Sequence, residues 1–320
     1  MTATTMQQFE KLLICAVSWI FYCACVGFPS LKASEPTQLT PGITLSRSTG
    51  NHLFVSVRVN DRPAWFAVDT GAALSIVDSN KAKLLGLSKG PGVIQVPNQI
   101  EVNNRIVPVA VVNSLYVGSD NLGSGPVALI DLRDFRAKLR ESGHRVTMDG
   151  IIGLDILQRY NAVIDCRNQR IYLEVPGENA QAVIKSTKRG RYNAVPMRIT
   201  HSGALEVEGR IGRNRYSFVV DTGGFATLVP SDVARQNGIP VIGTTVNAKG
   251  IHSKERPVGV TIAPEFDLGK YPLGPALIGV TGLPEGPEDL RYRFGGLIGA
   301  DFFFERGGII DIGSKTLYFR

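Results

Sequence analysis

The sequence predicts an all-β protein of two homologous lobes with a cleft between them. Three observations predict it. The chain of 320 residues carries 35 glycines and 18 prolines, a composition that favours short strands and turns over a helical bundle. An alternating apolar and polar segment that ends in Asp-Thr-Gly occurs twice. A second motif, Gly-apolar-Ile-Gly-x-Asp, also occurs twice, once after each copy of the first.

The N-terminal element is apolar. Leu12 to Phe28 reads LLICAVSWIFYCACVGF without a charge. It fits a secretory signal core or a marginal membrane anchor. Lys11 gives a weak positive flank beside Glu10, and Leu31-Lys32-Ala33 offers a small-residue cleavage site. Tyr22-Cys23-Ala24-Cys25 makes a poor lipoprotein signal, because a tyrosine stands where an apolar residue is usual. Residues 1–33 are therefore read as a signal peptide or N-terminal anchor. The expectation is an exported protein, periplasmic or extracellular, that meets a membrane only through this segment.

The two lobes follow. Leu53 to Asp78 reads LFVSVRVNDRPAWFAVDTGAALSIVD, and Leu205 to Pro230 reads LEVEGRIGRNRYSFVVDTGGFATLVP. Each alternates apolar and polar residues, breaks at a polar turn (Asn60-Asp61-Arg62 or Gly212-Arg213-Asn214), and resumes. That is the pattern of a β-hairpin. Short helices are expected after each, over Ser79–Leu85 and Ser231–Asn237, with Ser79 and Ser231 as N-cap candidates. Asp131 to Ser142 has an amphipathic pattern through Leu132, Phe135 and Leu139. Gly150 to Asp165, GIIGLDILQRYNAVID, then matches Gly296 to Asp311, GLIGADFFFERGGIID. A short helix is expected after Gly153 and after Gly299. Each unit closes on an apolar strand, Arg170 to Leu173 or Thr316 to Phe319. The expected organisation is a first lobe over 40–178, a polar linker over 179–190 and a second lobe over 191–320. Such a long period marks a duplication and not a solenoid.

Composition narrows the function classes. Hydrophobic residues make up 43% and charged residues 20%, which argues against wholesale disorder. A mean hydropathy of +0.04 excludes a polytopic membrane protein. The net charge of +7 is spread out. Its densest run, Lys185, Lys188, Arg189 and Arg191, falls at the expected linker, so no nucleic-acid partner is implied. Of four cysteines, Cys15, Cys23 and Cys25 lie in the leader. Cys166 alone remains, in the apolar strand VIDC, and reads as a small core residue. The body can form no intramolecular disulfide and has no CxxC pair for zinc.

The chemistry sits in Phe66-Ala67-Val68-Asp69-Thr70-Gly71-Ala72 and Phe218-Val219-Val220-Asp221-Thr222-Gly223-Gly224. In each, a buried strand delivers a carboxylate at its end. Glycine permits close backbone approach and offers an N–H to the carboxylate. One such tripeptide is weak evidence, but two in matching repeats are strong. These residues resemble the active-site motif of the aspartic peptidases, and in particular of the retropepsin-like group found in bacteria. Ile151-Ile152-Gly153-Leu154-Asp155 resembles the element that passes behind the active-site loop in that family. The resemblance covers the chain from about residue 45 onward. It implies a bilobal aspartic-protease fold, double-psi β-barrel-like, with both lobes in one chain as in pepsins. It implies that Asp69 and Asp221 form a catalytic dyad in a monomer that hydrolyses peptide or protein substrates. It further implies that Thr70 and Thr222 bind across the interface and that Gly71 and Gly223 complete the loops. Ser75 and Thr227 stand at matching positions, where their hydroxyls either support the loops or merely pack. Gly224 departs from the family, where alanine or serine is usual.

Substrate-covering flaps are expected near Val96–Val107 and Val246–Pro257, with Asn98, Gln99, Ile100, Gly250 and Ile251 as candidates. Asp155 and Asp301 match between repeats and are read as helix N-caps, and Asp165 and Asp311 as turn formers. His52, His144, His201 and His252 show no metal-ligand spacing, so neither a metal nor a cofactor is expected. Gly86-Leu87-Ser88-Lys89-Gly90 formally matches a serine-hydrolase elbow, but Pro91-Gly92 leaves no helix after it. A catalytically silent module that holds peptides in the same cleft is the alternative. Retention of both Asp-Thr-Gly triplets favours the enzyme.

Overall fold

The computed structural model describes residues 42–87, 99–102, 105–173, 191–248, 250, 255–283 and 286–320. The expected leader, the expected linker, Asn98 and Ile251 lie outside these residues. Among the described residues no helix is long and apolar enough to cross a membrane.

The structure is nearly all β, and the duplication is visible strand by strand. In the second lobe, Leu205–Ile211 turns back into Asn214–Val220. The latter runs parallel to Phe294–Ile298, which pairs with Leu228–Pro230. Leu228–Pro230 runs parallel to Tyr271–Thr281, and Tyr271–Thr281 pairs with Arg256–Leu268. Arg256–Leu268 returns to Leu205–Ile211 through Gly209↔Leu268 and Ile211↔Phe266. Six strands thus close into a barrel, which leaves no open edge within the ring.

The first lobe repeats this path. Leu53–Val59, Arg62–Val68, Gly150–Ile152, Ile76–Asp78, Gly125–Ile130 and Arg105–Val112 pair in the same order. The closing strand breaks after Val112, and a separate piece, Leu115–Val117, pairs with Leu53–Val59. The Asn60 side chain explains the break. Its Oδ1 accepts from the backbone N–H groups of Asn113 and Ser114 at 2.8 and 3.0 Å, which pinches the strand into a half-barrel. Asn60 and Asp61 both have positive φ, at 48° and 65°. That is the two-residue hairpin turn with matching twist, so Arg62 already belongs to the returning strand.

Two local expectations fail for physical reasons. Residues 79–86 form turns and not a helix. The Asp78 carboxylate there accepts from the Asn80 and Leu132 backbone N–H groups, and such local capture competes with helix formation. Ser79 therefore caps no helix. Its counterpart is a true helix, Ser231–Gln236, but Pro230 holds the N-cap position and Ser231 is already inside. Asp131 to Ser142 holds no helix either. Arg136–Lys138 pairs with Arg145–Thr147, and backbone bonds Thr49 N to Lys138 O and Arg140 N to Arg47 O tie the hairpin to the first lobe.

The lobes are joined by a shared sheet. Its strand order is Ile43–Thr44, Arg170–Tyr172, Val163–Asp165, Ile309–Asp311, Thr316–Phe319 and Asn193–Ile199. At its centre Val163–Asp165 of the first lobe faces Ile309–Asp311 of the second, with Ile164 opposite Ile310. One buried cluster runs from Val57, Phe66 and Val68 through Ile164, Ile310 and Phe319 to Phe218, Phe266 and Leu268. Cys166 is buried in it as a free thiol. Burial pushes that thiol's pKa up, so it behaves as a hydrophobe.

Candidate active site

Asp69 and Asp221 stand at the ends of equivalent strands, Arg62–Val68 and Asn214–Val220. Each strand is apolar and buried in its last residues. In each, one final bond fixes the aspartate: Asp69 N donates to Ile152 O and Asp221 N donates to Ile298 O, both at 3.0 Å. The carboxylates therefore leave a rigid ladder just where the chain turns.

The threonines after them interlock across the lobes. Thr70 Oγ1 donates to Val220 O at 2.7 Å, and Thr222 Oγ1 donates to Val68 O at 2.8 Å. The same oxygens accept from the opposite backbone, Thr222 N to Thr70 Oγ1 at 3.1 Å and Thr70 N to Thr222 Oγ1 at 3.0 Å. Both threonines are fully buried, at 0% and 1% exposure. A β-branched residue with a hydroxyl suits this position, because its rotamer is restricted and it both donates and accepts.

The two carboxyl groups meet. Asp221 lies against Gly71 of the first loop and Asp69 against Gly223 of the second, so each carboxyl group reaches into the other lobe's turn. Burial pushes Asp221 well above the ordinary carboxylate range, and the neighbouring Asp69 charge pushes it further. The Gly71 N–H donates to Asp69 Oδ1 at 2.8 Å, and the Gly224 N–H donates to Asp221 Oδ1 at 2.9 Å. Glycine is required for space at 71 and 223. A Cβ on Gly71 would lie 2.5 Å from Asp221 Oδ1, and one on Gly223 would strike the Asp69 carboxylate.

Behind each loop lies a matching brace. Ser75 Oγ donates to Asp155 Oδ1 at 2.6 Å and accepts from Gly153 N at 2.9 Å. Thr227 Oγ1 donates to Asp301 Oδ1 at 2.9 Å and accepts from Gly299 N at 3.2 Å. Asp155 and Asp301 are not N-caps. Gly153 and Gly299 hold that position before the helices Leu154–Arg159 and Ala300–Glu305. The aspartates lie in the first turn and face the loops. A cap needed glycine because a Cβ on Gly153 would sit 2.5 Å from the Leu74 backbone. Burial raises the pKa of both braced carboxyls. Asp165 and Asp311, by contrast, bind the backbone N–H groups of Asn168 and Ser314 in the following turns.

The flap candidates fall on equivalent hairpins. Gln99 and Ile100 lie on Gln99–Val102, which pairs with Arg105–Val112. Gly250 is exposed just beyond Ile242–Ala248, which pairs with Arg256–Leu268.

One residue beside the dyad is invisible to motif reasoning. His52, from the first lobe, is half-buried near Asp69. Burial pushes its pKa below the ordinary 6.5, while the Asp69 charge and a hydrogen bond to the Gly223 backbone push the other way. His52 precedes the repeated strand in a polar turn, and no spacing pattern flags it. The neighbouring Asn51 Nδ2 donates to Phe225 O of the second lobe at 3.2 Å. Its Oδ1 accepts from Arg47 and Arg140 at 2.7 and 2.8 Å. Among the described residues no cluster of three or more histidine, cysteine, aspartate or glutamate side chains could hold a metal ion.

Among curated proteins none matches the chain. The family model described as aspartyl protease matches it twice, over residues 55–156 and 207–302, and each match holds one Asp-Thr-Gly loop and the brace behind it. Those two spans cover more than half of the sequence, and the chain belongs to the aspartyl protease family.

Proposed function

We propose that this protein is an aspartic endopeptidase of the retropepsin-like type, with Asp69 and Asp221 as a single intrachain catalytic dyad. The observation that carries the reading is the facing pair of carboxyls, one from each repeat and each set against the other lobe's loop glycine. Two carboxylates this close share one proton. The ionised member takes a proton from a bound water, whose oxygen attacks the scissile carbonyl carbon. The protonated member gives its proton to the carbonyl oxygen, and a tetrahedral gem-diol forms. Proton delivery to the amide nitrogen then breaks the C–N bond and releases an amine and a carboxylic acid. No covalent enzyme intermediate is needed. Ser75 and Thr227 brace the loops, and the two β-hairpins at Gln99–Val102 and Ile242–Ala248 serve as flaps. The apolar leader sends the protein out of the cytoplasm.

The test uses purified protein lacking residues 1–33 and a mixed peptide library. Wild type is expected to cleave best at acidic to mildly acidic pH. Asp69→Asn and Asp221→Asn are each expected to lose activity by about 10²–10⁴-fold. Peptide binding without cleavage in wild type would instead identify a silent binding module. Activity unchanged in both variants would refute the dyad.

A further inference from the structure

We propose that Asn51 is a positioning residue for the second catalytic loop: its side chain straps the Phe225 carbonyl, in the turn after Asp221, to a scaffold that the first lobe builds from Arg47 and Arg140. The inference rests on the two-aspartate reading above.

The two lobes build the same turn before their hairpins. In the first, Ser48 N donates to His52 O at 2.8 Å and Asn51 N donates to Ser48 O at 3.0 Å. In the second, Thr200 N donates to Ala204 O at 2.9 Å and Gly203 N donates to Thr200 O at 3.1 Å. Asn51 and Gly203 are therefore mates, and both have left-handed backbone, at φ 70° and 80°. Each reaches the other lobe's loop. Gly203 meets Ala73 by packing alone, and an added Cβ would lie 2.8 Å from the Ala73 Cβ, so a side chain there is crowded out. At 51 a side chain fits, and its Nδ2 donates to Phe225 O at 3.2 Å. Phe225 stands where Ala73 stands in the first loop, and the two loops differ in stiffness. The first reads Gly71-Ala72-Ala73 and the second Gly223-Gly224-Phe225. The extra glycine widens the conformations open to the backbone, and Asn51 restrains the residue that follows it.

Asn51 is itself held. Its Oδ1 accepts from Arg47 Nε and Nη2 at 3.2 and 2.7 Å and from Arg140 Nη2 at 2.8 Å. The amide suits both sides at once, because only an acceptor can answer two guanidinium groups and only a donor can answer a carbonyl. Arg47 also spans the lobes, with its guanidinium carbon 3.4 Å from the centre of the Phe304 ring. Phe304 lies on the helix Ala300–Glu305, which carries Asp301, the brace of the second loop. Arg140 Nε donates to Ser48 O at 3.0 Å. It reaches the turn because it follows Arg136–Lys138, whose hairpin with Arg145–Thr147 is anchored by Thr49 N to Lys138 O and by Arg140 N to Arg47 O. Among the described residues the second lobe has no counterpart of that hairpin between Tyr271–Thr281 and Phe294–Ile298. Its turn is held by an acceptor instead, since Asp289 takes Ser202 N at 2.9 Å and Ser202 Oγ at 2.7 Å. The extra hairpin of the first lobe thus acts, through Arg140 and Asn51, on the loop of the second.

The experiment compares Asn51→Asp and Asn51→Gly with wild type. Aspartate and glycine both tolerate the left-handed backbone, so the turn survives. Asn51→Asp keeps the guanidinium bonds, now charge-assisted, but has no N–H for Phe225 O. Asn51→Gly copies the mate at 203. Each is expected to lower kcat by about 10-fold or more while KM stays near that of wild type, because the reacting groups shift and the binding surface does not. Asn51→Asp is expected to melt at or above the wild-type temperature, which separates its loss of kcat from loss of fold. Arg140→Gln should add nothing to the loss in Asn51→Gly, since it acts through the same side chain, and a further loss there would overturn that route. Amide hydrogen exchange needs no turnover. It is expected to quicken in both variants at Gly224, Thr227 and Ala300, whose N–H groups bond within the second loop and its brace. It should stay unchanged at Leu154, which makes the matching bond to Ala72 O in the first lobe. Wild-type exchange at the second loop, or wild-type kcat, in the folded variants would overturn the inference. Asp69→Asn and Asp221→Asn as active as wild type would overturn the dyad reading instead, and the exchange measurement would still decide the strap.

Discussion

Replacing Thr70 by valine keeps the shape of the side chain and removes its hydroxyl. Two bonds vanish, the donation to Val220 O and the acceptance from Thr222 N. Both partners stay buried, since Val220 and Thr222 are at 0% and 1% exposure. A buried polar group left without its partner costs about 1–3 kcal/mol. The variant should thus lose about 2–6 kcal/mol, against a total of about 5–15 kcal/mol for a typical domain. Thr70→Ser keeps the hydroxyl and loses one methyl, at a cost of about 1 kcal/mol. Urea unfolding monitored by tryptophan fluorescence and by circular dichroism gives both numbers, provided the two probes coincide. The matching Thr222→Val should behave alike, because Thr222 Oγ1 makes the mirror-image pair of bonds. The double variant should cost less than the sum, since one splayed interface releases all four groups. If Thr70→Val proved no less stable than Thr70→Ser, the interlock would contribute shape alone, and the energetic argument would be wrong.

Three more outcomes are expected. The folded protein holds Asp221 above its ordinary value of 3.8, so folding favours its protonated form. That contribution is complete below the unfolded pKa and is lost as pH rises through the folded one. Asparagine stays neutral at every pH, so Asp221→Asn should melt above wild type at pH 7, with the gap closing below pH 3.8 in differential scanning calorimetry. Gly71→Ala places a Cβ 2.5 Å from Asp221 Oδ1 and displaces the carboxyl pair. Its kcat/KM should drop by about 10²-fold, while its circular dichroism stays that of wild type. Gly224→Ala, which restores the residue usual in the family, brings a Cβ to 3.0 Å from Asp221 Oδ2 and 2.8 Å from Leu297 Cδ1. Its smaller loss would be measured in the same assay.

The repeat made most of the fold legible, because strand alternation and two spaced motifs survive in both copies. Asp69, Asp221 and the two threonines were legible for the same reason. What remained hidden was set by contacts distant in sequence. The helix expected over Ser79–Leu85 gives way because Asp78 bonds Leu132 N. The apolar spacing of Leu132, Phe135 and Leu139 suits a helical face, yet Lys138 and Arg140 are recruited by the backbone of Thr49 and Arg47. Asp155 and Asp301 looked like caps because they adjoin helices, but the glycines before them take that place and free the carboxyls to brace the loops. His52 was hidden because its second-lobe mate is Ala204, and symmetry draws attention only to what is repeated.

The sheet centred on Val163–Asp165 and Ile309–Asp311 also sets a timetable. A ribosome delivers the first of these strands, and Asp69, long before the second. At ordinary translation rates the gap is on the order of ten seconds. Through that interval a growing chain displays an unpaired strand edge, and until Asp221 and Thr222 are made it also lacks the second carboxyl group and the partner loop for Thr70. On the two-aspartate reading proposed above, proteolytic competence arrives only when the final strands dock, and the cell that makes this chain is shielded from it during synthesis. The unpaired edge is the cost of that delay, because it is open to wrong partners until the right one emerges.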